Sequence, residues 1–280
     1  MTSLDTVPAL EPADRPATTA QTNSQPTALR TLRHALALAK RNLIKLTRTP
    51  EQLIDVTLQP VIFLLLFVYV FGGAIAGGSR HDYLEYLLPG LLGQGIAMGS
   101  VALGQNLNAD IEKGVFDRFR SLPIARSAPL VGAVLADFFR YLSVCVVFLG
   151  FGYVIGFRIG TNPLATLAAI ALSIAFALCF CWVSVFVGMK ARTSGAVQGI
   201  MFLLILPLSF GSSVFVQAST MPGWMQAFVK VNPMTHLVGV VRGLMVNGPV
   251  ASHLGWTLLW MAILLVVFVP LALRAYRKRA

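Results

Sequence analysis

Long apolar runs dominate the chain after about residue 50. Each run holds roughly 20 residues with almost no charge, enough for a helix to cross a hydrocarbon core of about 30 Å. Helices are expected because a backbone inside lipid must satisfy its own hydrogen bonds. The pattern predicts an all-α integral membrane protein with six transmembrane helices, at residues 55 to 76, 87 to 107, 131 to 156, 164 to 187, 195 to 216 and 252 to 273.

A shorter apolar stretch, Met234 to Met245, precedes the last predicted span. Asn-Pro at 232–233 provides a good N-cap and first helical residue, and Asn-Gly-Pro at 247–249 provides a stop. The roughly 14 residues between them reach only about 21 Å, too short for a crossing. We predict a re-entrant extracellular helix before the last span. Trp224 and Phe228, four residues apart, predict a short helix at the outer interface just upstream.

The N-terminal part divides into two segments before the membrane domain of residues 49 to 280. Residues 1 to 27 are rich in Thr, Pro, Ala and Gln, which predicts a disordered cytoplasmic tail. Residues 28 to 48 predict an amphipathic interface helix, or elbow. Its apolar side holds Leu29, Leu32, Leu36, Leu43 and Leu46, and its basic side holds Arg30, Arg33, His34, Lys40, Arg41, Lys45 and Arg48. It either lies on the membrane surface alone or also contacts a cytosolic partner.

Charge is sparse and unevenly distributed. The net charge is +11, yet only 12% of residues are charged and 56% are apolar. Because the basic residues flank apolar runs, they indicate topology rather than nucleic-acid binding. With six spans both termini share one side, which carries 17 Lys and Arg against four on the other, namely Arg80, Arg158, Lys230 and Arg242, with Arg140 left near a span end. We predict a multi-pass protein of the bacterial plasma membrane with both termini cytoplasmic.

The sequence offers no recognisable catalytic or metal site. It contains no GxxxxGK[ST], HExxH or GxSxG motif, so the energy for any active process must come from elsewhere. Four histidines, His34, His81, His236 and His253, are scattered over both predicted sides. Cys145, Cys179 and Cys181 lie inside apolar runs and form no disulfide framework. An enzyme is therefore disfavoured, and neither a metal nor a cofactor is expected in this chain.

The predicted cytoplasmic loop at residues 108 to 128 reads NADIEKGVFDRFRSLPIARSA. Charges of both signs surround Phe116 and Phe119, and a plain surface turn rarely exposes two phenylalanines. We predict a docking helix stopped by Pro123, with an ordinary solvated loop as the alternative. The predicted docking residues are Glu112, Lys113, Gly114, Phe116, Asp117, Arg118, Phe119 and Arg120, together with Arg41 and Lys45 of the elbow.

Neutral polar residues inside the predicted spans should face the bundle or a cavity rather than lipid. Gln94, Gln105, Asn106 and Gln198 are the candidates for a substrate pathway, and plain helix-to-helix hydrogen bonds are the alternative. Close helix approach is possible at three GxxxG pairs, each of them weak evidence for a dimer interface. These are Gly95 with Gly99, Gly152 with Gly156, and Gly195 with Gly199.

Ionisable residues within the spans are few: Asp55, Asp137 and Arg140, all near the predicted cytoplasmic end. Asp137 and Arg140 are three apart, so they can form an ion pair on one helix. Such a pair is either structural or transmits movement from a cytosolic partner. Mid-span acids that an ion-coupled carrier would need are not found in the spans at 87 to 107, 131 to 156 and 164 to 187.

Four segments resemble permeases of ABC-2 type exporters, in particular those for daunorubicin and doxorubicin resistance. They are PEQLIDVTLQ at 50 to 59, IEKGVFDRFRSLPI at 111 to 124, STMPGWMQAFV at 219 to 229 and THLVGVVRGLM at 235 to 245. The resemblance implies that the elbow and the 108 to 128 loop sit on a separate ATPase, and that extracellular re-entrant helices precede the sixth span. It also implies a complex of two permeases with two ATPase subunits, which bind the ATP and Mg.

The expected function is export of a small amphipathic or lipid-like compound, such as an antibiotic, by a homodimeric permease in contact with membrane lipids. Alternatives are an exporter of an endogenous lipid or glycolipid, an ion-coupled carrier and a membrane enzyme. The spans match the family less clearly than the four segments do, and apolar pockets with a few amides suit many cargoes.

Overall fold

The protein is helical throughout the part of the chain that the computed structural model describes, which is residue 58 and residues 61–72, 79–114 and 128–279. The helices are α1 (Val61–Phe71, π-helical over Phe67–Phe71), α2 (Arg80–Glu112), α3 (Ala128–Ile155), α4 (Pro163–Lys190), α5 (Ser194–Phe210), α6 (Gly223–Val231), α7 (Pro233–Val246) and α8 (Ala251–Arg279). Within these residues, four helices are long and apolar enough to cross a membrane: α2, α3, α4 and α8. The prediction of an all-helical membrane protein is confirmed. The described residues contain four candidate spans, so the predicted number of six is not confirmed.

Helix α2 is longer than the predicted span at 87 to 107. It begins after Ser79, whose hydroxyl accepts a hydrogen bond from the Asp82 N–H at 3.4 Å, and it runs for 33 residues, about 50 Å. Glu112 is its last residue, and Gly114 follows with a φ of 65°. A left-handed glycine ends helices readily. Residues 108 to 112, which were predicted to belong to the loop, are therefore part of α2, and the chain turns at Gly114. The predicted docking role of this segment stays a prediction.

The fifth predicted span, at 195 to 216, is also shorter in the structure. Helix α5 ends at Phe210, and the Gly211 N–H donates to the Pro207 carbonyl oxygen at 2.8 Å. Its 17 residues reach about 25 Å. Residues 211 to 216 form a turn rather than helix. In contrast, α3, α4 and α8 include nearly all of the predicted spans at 131 to 156, 164 to 187 and 252 to 273.

Helices α2 and α4 form the centre of the bundle. Helix α2 packs against α3, α4, α5 and α7, and α4 packs against α8 as well. In the most apolar stretch of α2, 78% of the residues are buried inside the chain, against 17% in α8. Helix α8 therefore presents most of its apolar surface to whatever surrounds the chain. We call the two ends of the bundle the Arg80 side and the Glu112 side, after the ends of α2.

Several predictions fall outside the described residues. These are the tail at 1 to 27, the elbow at 28 to 48 with Arg41 and Lys45, the acidic residue Asp55, and Phe116, Asp117, Arg118, Phe119, Arg120 and Pro123 of the loop. They stay predictions.

Candidate transport pathway

A pair of amide side chains lies on the surface of the bundle near the Glu112 side. Gln105 on α2 donates through Nε2 to Oε1 of Gln198 on α5, at 3.3 Å. Gln198 is exposed, Gln105 is half-buried, and the neighbouring Asn106 is exposed. Two of the four predicted pathway residues, Gln105 and Gln198, thus meet on one surface, which we call the amide surface. Gln94 does not join them, because it is buried inside the chain with 5% of its surface exposed.

The face of α5 beside the amide surface is open. A Cβ placed on Gly195 or Gly199 would meet no atom within 4 Å among the described residues. The other GxxxG pairs differ: a Cβ on Gly95 would lie 2.6 Å from the Phe148 ring, and one on Gly99 would lie 3.2 Å from the Tyr141 ring. Gly95 and Gly99 therefore serve packing of α2 on α3 within the chain. Of the pairs proposed for a dimer interface, Gly195 and Gly199 are both free to approach a second molecule.

The predicted ion pair is present and buried. Arg140 Nη2 lies 2.7 Å from Asp137 Oδ2, and the two side chains are 7% and 8% exposed. Arg140 also donates to the backbone carbonyl of Gly99 at 2.5 Å, and the Tyr141 hydroxyl donates to Asp137 at 3.4 Å. Arg140 Nε has no partner among the described residues. The pair therefore does more than join two positions on α3, because it fixes α3 to the middle of α2.

Polar contacts that the sequence did not reveal join α2 to α4. The Ser184 hydroxyl donates to the Ser100 carbonyl at 2.6 Å and accepts from the Gly104 N–H at 2.8 Å. Further along, Asn108 Nδ2 donates to the carbonyls of Gly188 and Ala191 at 2.9 and 3.0 Å. The predicted cytoplasmic loop began at Asn108, yet the exposed fraction of this residue is 0%. The sequence does contain a signal for this close helix contact, namely small residues four positions apart on both helices: Ser100 with Gly104, and Ser184 with Gly188.

On the Arg80 side, α7 is fixed at both ends. Asn232 caps it as predicted, accepting from the Met234 N–H at 2.9 Å, and also donates to the carbonyls of Leu208 and Gly211 at 2.7 Å each. At the other end, Asn247 adopts a φ of 58° and donates to the Gly160 carbonyl at 2.6 Å. The bounds Pro233–Val246 agree with the predicted 14-residue helix.

Arg242 on α7 points into the bundle. Its guanidinium lies 3.7 Å from the centre of the Tyr86 ring and donates to the carbonyls of Tyr86 and Ser213 at 2.9 to 3.1 Å. Tyr86 lies three residues before Pro89, where a proline weakens the hydrogen bonding of the preceding helical turn. The arginine supplies donors there and joins α7 to α2. From the sequence, Arg242 was used only as a charge that indicates topology, and this contact between α7 and α2 was not predicted.

The histidine prediction was also incomplete. His236 and His253, expected to be scattered, are adjacent in the structure, with their Nδ1 atoms 3.2 Å apart. They join α7 to α8, and the Trp256 ring stacks on His236 with ring centres 5.4 Å apart. Their separation of 17 positions in the sequence hid this contact, because the turn between α7 and α8 reverses the chain.

A comparison with protein families matches residues 33–246 to the ABC-2 type transporter family. The chain belongs to this family. It is 41% identical over 230 residues to the daunorubicin resistance ABC transporter permease protein DrrB1 of Streptomyces coeruleorubidus, covering 82% of this chain and 81% of the relative. It is 27% identical over 221 residues to the doxorubicin resistance ABC transporter permease protein DrrB of Mycobacterium tuberculosis, covering 74% and 76%.

Membership of the ABC-2 family indicates that the chain is part of a transporter. The ABC-2 family is a family of transporters, and the two relatives are named as permease proteins rather than as enzymes. The resemblance found in the four sequence segments is confirmed.

Proposed function

We propose that this chain is the permease subunit of an ATP-driven exporter that moves an amphipathic or lipid-like compound, with antibiotics and drugs as the first candidates, out across the bacterial plasma membrane. The observation that carries the proposal is its 41% identity, over most of both chains, to a permease named for daunorubicin resistance. An endogenous lipid or glycolipid is the alternative cargo, because the same surface chemistry would suit it.

The amide surface supports a pathway between two copies of the permease. An uncovered amide facing lipid costs free energy, on the order of several kcal/mol for each unsatisfied group. Gln198 is nevertheless exposed in the single chain. A second copy placed on α5 would enclose it together with Gln105. The two amides would then offer hydrogen bonds to the polar part of a cargo, while the apolar side chains of α5 contact the rest.

We place six spans in the membrane, with the termini inside and α6 and α7 outside. Helices α1 and α5 are apolar but shorter than the four long spans. We assign the remaining two crossings to the predicted spans at 55 to 76 and 195 to 216, with which these helices overlap. The 17 to 4 distribution of Lys and Arg supports this orientation. Cysteines introduced at residues 220 and 278 in a cysteine-free chain test it in intact cells: an impermeant thiol reagent should label 220 alone, and labelling of 278 alone would reverse the topology.

Docking of two ATPases is proposed on the Glu112 side. Glu112 and Lys113 are exposed at the end of α2, and residues 110 to 124 with Arg41 and Lys45 would form the contact. The ATPases would supply the ATP and Mg sites. Movement at Glu112 would pass along α2, which is rigidly joined to α4 through Ser184 and to α3 through Arg140.

An ion-coupled carrier is the less favoured function. Such a carrier needs a carboxylate that can exchange protons or sodium ions near the middle of the membrane. Among the described residues of the spans, the buried carboxylate is Asp137, and it is paired with Arg140 at 2.7 Å. A carboxylate held in this way stabilises the bundle but is poorly placed to exchange ions.

Reconstitution tests the proposed function. Liposomes containing the permease alone, and liposomes containing the permease with a cognate ATPase subunit, are loaded with ATP or with a proton or sodium gradient. A fluorescent anthracycline and a labelled lipid serve as cargoes. We expect that either the anthracycline or the lipid is transported, and only when both the ATPase and ATP are present. Accumulation driven by a gradient in liposomes that lack the ATPase would contradict the proposal and support the ion-coupled carrier.

A further inference from the structure

The two imidazoles of His236 and His253 form a joint between α7 and α8. Their Nδ1 atoms lie 3.2 Å apart, which is hydrogen-bond distance. His236 is buried, with 6% of its surface exposed, and His253 is half-buried. The His253 ring lies directly on Gly239 of α7, where a Cβ would come within 2.7 Å of ring carbons. The joint is therefore a close contact with little room for rearrangement.

Hydrogen bonding fixes which nitrogen carries each proton. His236 Nε2 lies 2.9 Å from the backbone carbonyl oxygen of Lys230, which can only accept, so Nε2 carries the hydrogen. In the neutral imidazole its Nδ1 is then an acceptor. The bond to His253 requires that His253 Nδ1 donate. Each neutral ring thus has one vacant protonation site: Nδ1 on His236 and Nε2 on His253.

The two vacant sites have opposite effects on the joint. A proton on His253 Nε2 leaves the His253 Nδ1–H in place, so the bond to His236 persists as a charge-assisted one. A proton on His236 can enter only at Nδ1, which turns the acceptor into a donor. Two N–H groups then face each other, the bond is lost, and both rings are charged once His253 is also protonated. The joint tolerates the first proton and is broken by the second.

The described charged groups around the pair do little to offset this repulsion. Arg242 on α7 interacts electrostatically with His253 and adds a third positive charge, and α6 contributes the cation Lys230. On α2, Asp82 and Glu85 lie near the Arg80 end, where Glu85 is paired with His81 at 3.3 Å. Helix α4 has no charged residue apart from Lys190 at the Glu112 side, and α5 has none. Neutral Trp256 on α8 stacks on His236.

The other bonds of α7 do not titrate in the physiological range. Asn232 binds Leu208 and Gly211, Arg242 binds the Tyr86 carbonyl, and Asn247 binds Gly160. These use amides, an arginine and backbone carbonyls. We propose that the His236–His253 pair is an acid-sensitive joint that holds α7 to α8 near neutral pH and releases that one attachment in acid, while the remaining attachments keep α7 in place. On the proposed topology, the pair would respond to the pH outside the cell.

Hydrogen exchange of the α7 backbone measures this release. The full-length chain in lipid nanodiscs is compared at about pH 7.5 and about pH 5, on either side of the usual imidazole titration near 6.5. Wild type is compared with His236→Asn at each pH, so that the intrinsic pH dependence of exchange cancels. Asparagine offers an Oδ1 acceptor close to the Nδ1 position and does not titrate. We expect acid to lower protection of residues 233–246 in wild type by roughly two- to tenfold relative to this variant, the effect of one lost hydrogen bond.

Two further variants complete the test. His81→Asn removes an exposed histidine on α2 that is paired with Glu85, and it should retain the acid response of wild type. His253→Asn can present either its Nδ2 donor or, after rotation of the amide, its Oδ1 acceptor to His236, so it should lose the acid response of wild type. Equal pH dependence in wild type and His236→Asn would overturn the proposal. If His236→Asn does not fold, His253→Asn replaces it as the reference, and equal pH dependence in wild type and His253→Asn would overturn the proposal as well.

Discussion

Two glycines set the distance between the central helices. A Cβ on Gly188 of α4 would lie 2.5 Å from the Gly104 carbonyl oxygen of α2, and a Cβ on Gly104 would lie 2.5 Å from the Ser184 carbonyl oxygen. Both clashes are with backbone, which cannot rotate away as a side chain can. The absence of both Cβ atoms allows Ser184 and Asn108 to bridge the helices. At this crossing, the side-chain-to-backbone hydrogen bonds of Ser184 and Asn108 therefore depend on the close approach that the two glycines allow.

Gly188→Ala should therefore destabilise the bundle. Overpacking of this kind costs about 1 to 3 kcal/mol, which outweighs the gain in helix propensity of about 1 kcal/mol when glycine becomes alanine. Gly150→Ala on α3 is the matched control, since a Cβ there would meet nothing within 4 Å. Thermal unfolding in detergent should show a lower midpoint for Gly188→Ala and an unchanged or higher one for Gly150→Ala. Equal midpoints for the two variants would contradict the close crossing.

The buried ion pair allows its two suggested roles to be separated. Arg140→Met leaves the Asp137 carboxylate buried without a partner and should cost about 3 to 5 kcal/mol. Asp137→Leu combined with Arg140→Met removes both charges and should recover most of that stability. Thermal unfolding and transport are measured on the same preparations. Recovery of both would assign the pair a structural role, whereas recovery of stability without transport would assign it to transmission of movement.

At the scale of the elements, local signals located helix ends well where a cap and a proline stand together. Asn232 before Pro233 begins α7, as predicted. Asn162 before Pro163 begins α4 in the same way, with a bond to the Leu164 N–H at 3.1 Å, although the apolar run alone had placed the start of that span at residue 164. Where tertiary contacts extend a helix, the same reasoning failed. Asn108 resembles a loop residue in the sequence, yet its bonds to the end of α4 keep α2 helical as far as Glu112. Such partners are 80 or more residues away, so no local pattern reveals them.

The two capping asparagines provide a matched pair of substitutions. Asn162→Ala loses a single cap bond and should cost about 1 kcal/mol. Asn232→Ala loses its cap bond and two bonds to the carbonyls at the end of α5, so it should cost about 2 to 4 kcal/mol. Unfolding measurements should rank the variants in that order. Similar losses would mean that Asn232 does not fasten α7 to α5.

At the scale of the whole molecule, hydropathy predicted a helical membrane protein, and four sequence segments indicated its family. The pathway was less predictable. Gln94 and Gln105 look alike in the sequence, and only packing shows that Gln94 is enclosed by its own chain while Gln105 faces outward to meet Gln198. The hydrophobic pattern reports which residues avoid water. It does not distinguish a surface that faces lipid from one that faces a second protein molecule.

The surface of the single chain nevertheless indicates where a second copy would bind. Helices α5 and α8 both expose apolar side chains, such as Leu203 at 77% and Val266 at 73%. They differ in polarity, because α5 also exposes Gln198 beside two glycines with open space, whereas the middle of α8 is apolar throughout. Lipid satisfies the α8 face and leaves the amides of the α5 face unsatisfied. Close approach at Gly195 and Gly199 would let a second α5 cover them.

Cysteine cross-linking in native membranes tests this arrangement. In a chain with Cys145, Cys179 and Cys181 changed to alanine, Gly195→Cys and Gln198→Cys should each form a covalent dimer with a short bifunctional thiol reagent, because two copies of α5 would place these positions close together. Val266→Cys on α8 is the control and should stay monomeric, since it is equally accessible but faces lipid. Cross-linking should persist when the membranes are diluted with excess lipid, as expected for a stable interface rather than for collisions. Dimers formed through Val266→Cys and not through the α5 positions would place the interface on α8, and the amide surface would then lie away from the partner copy.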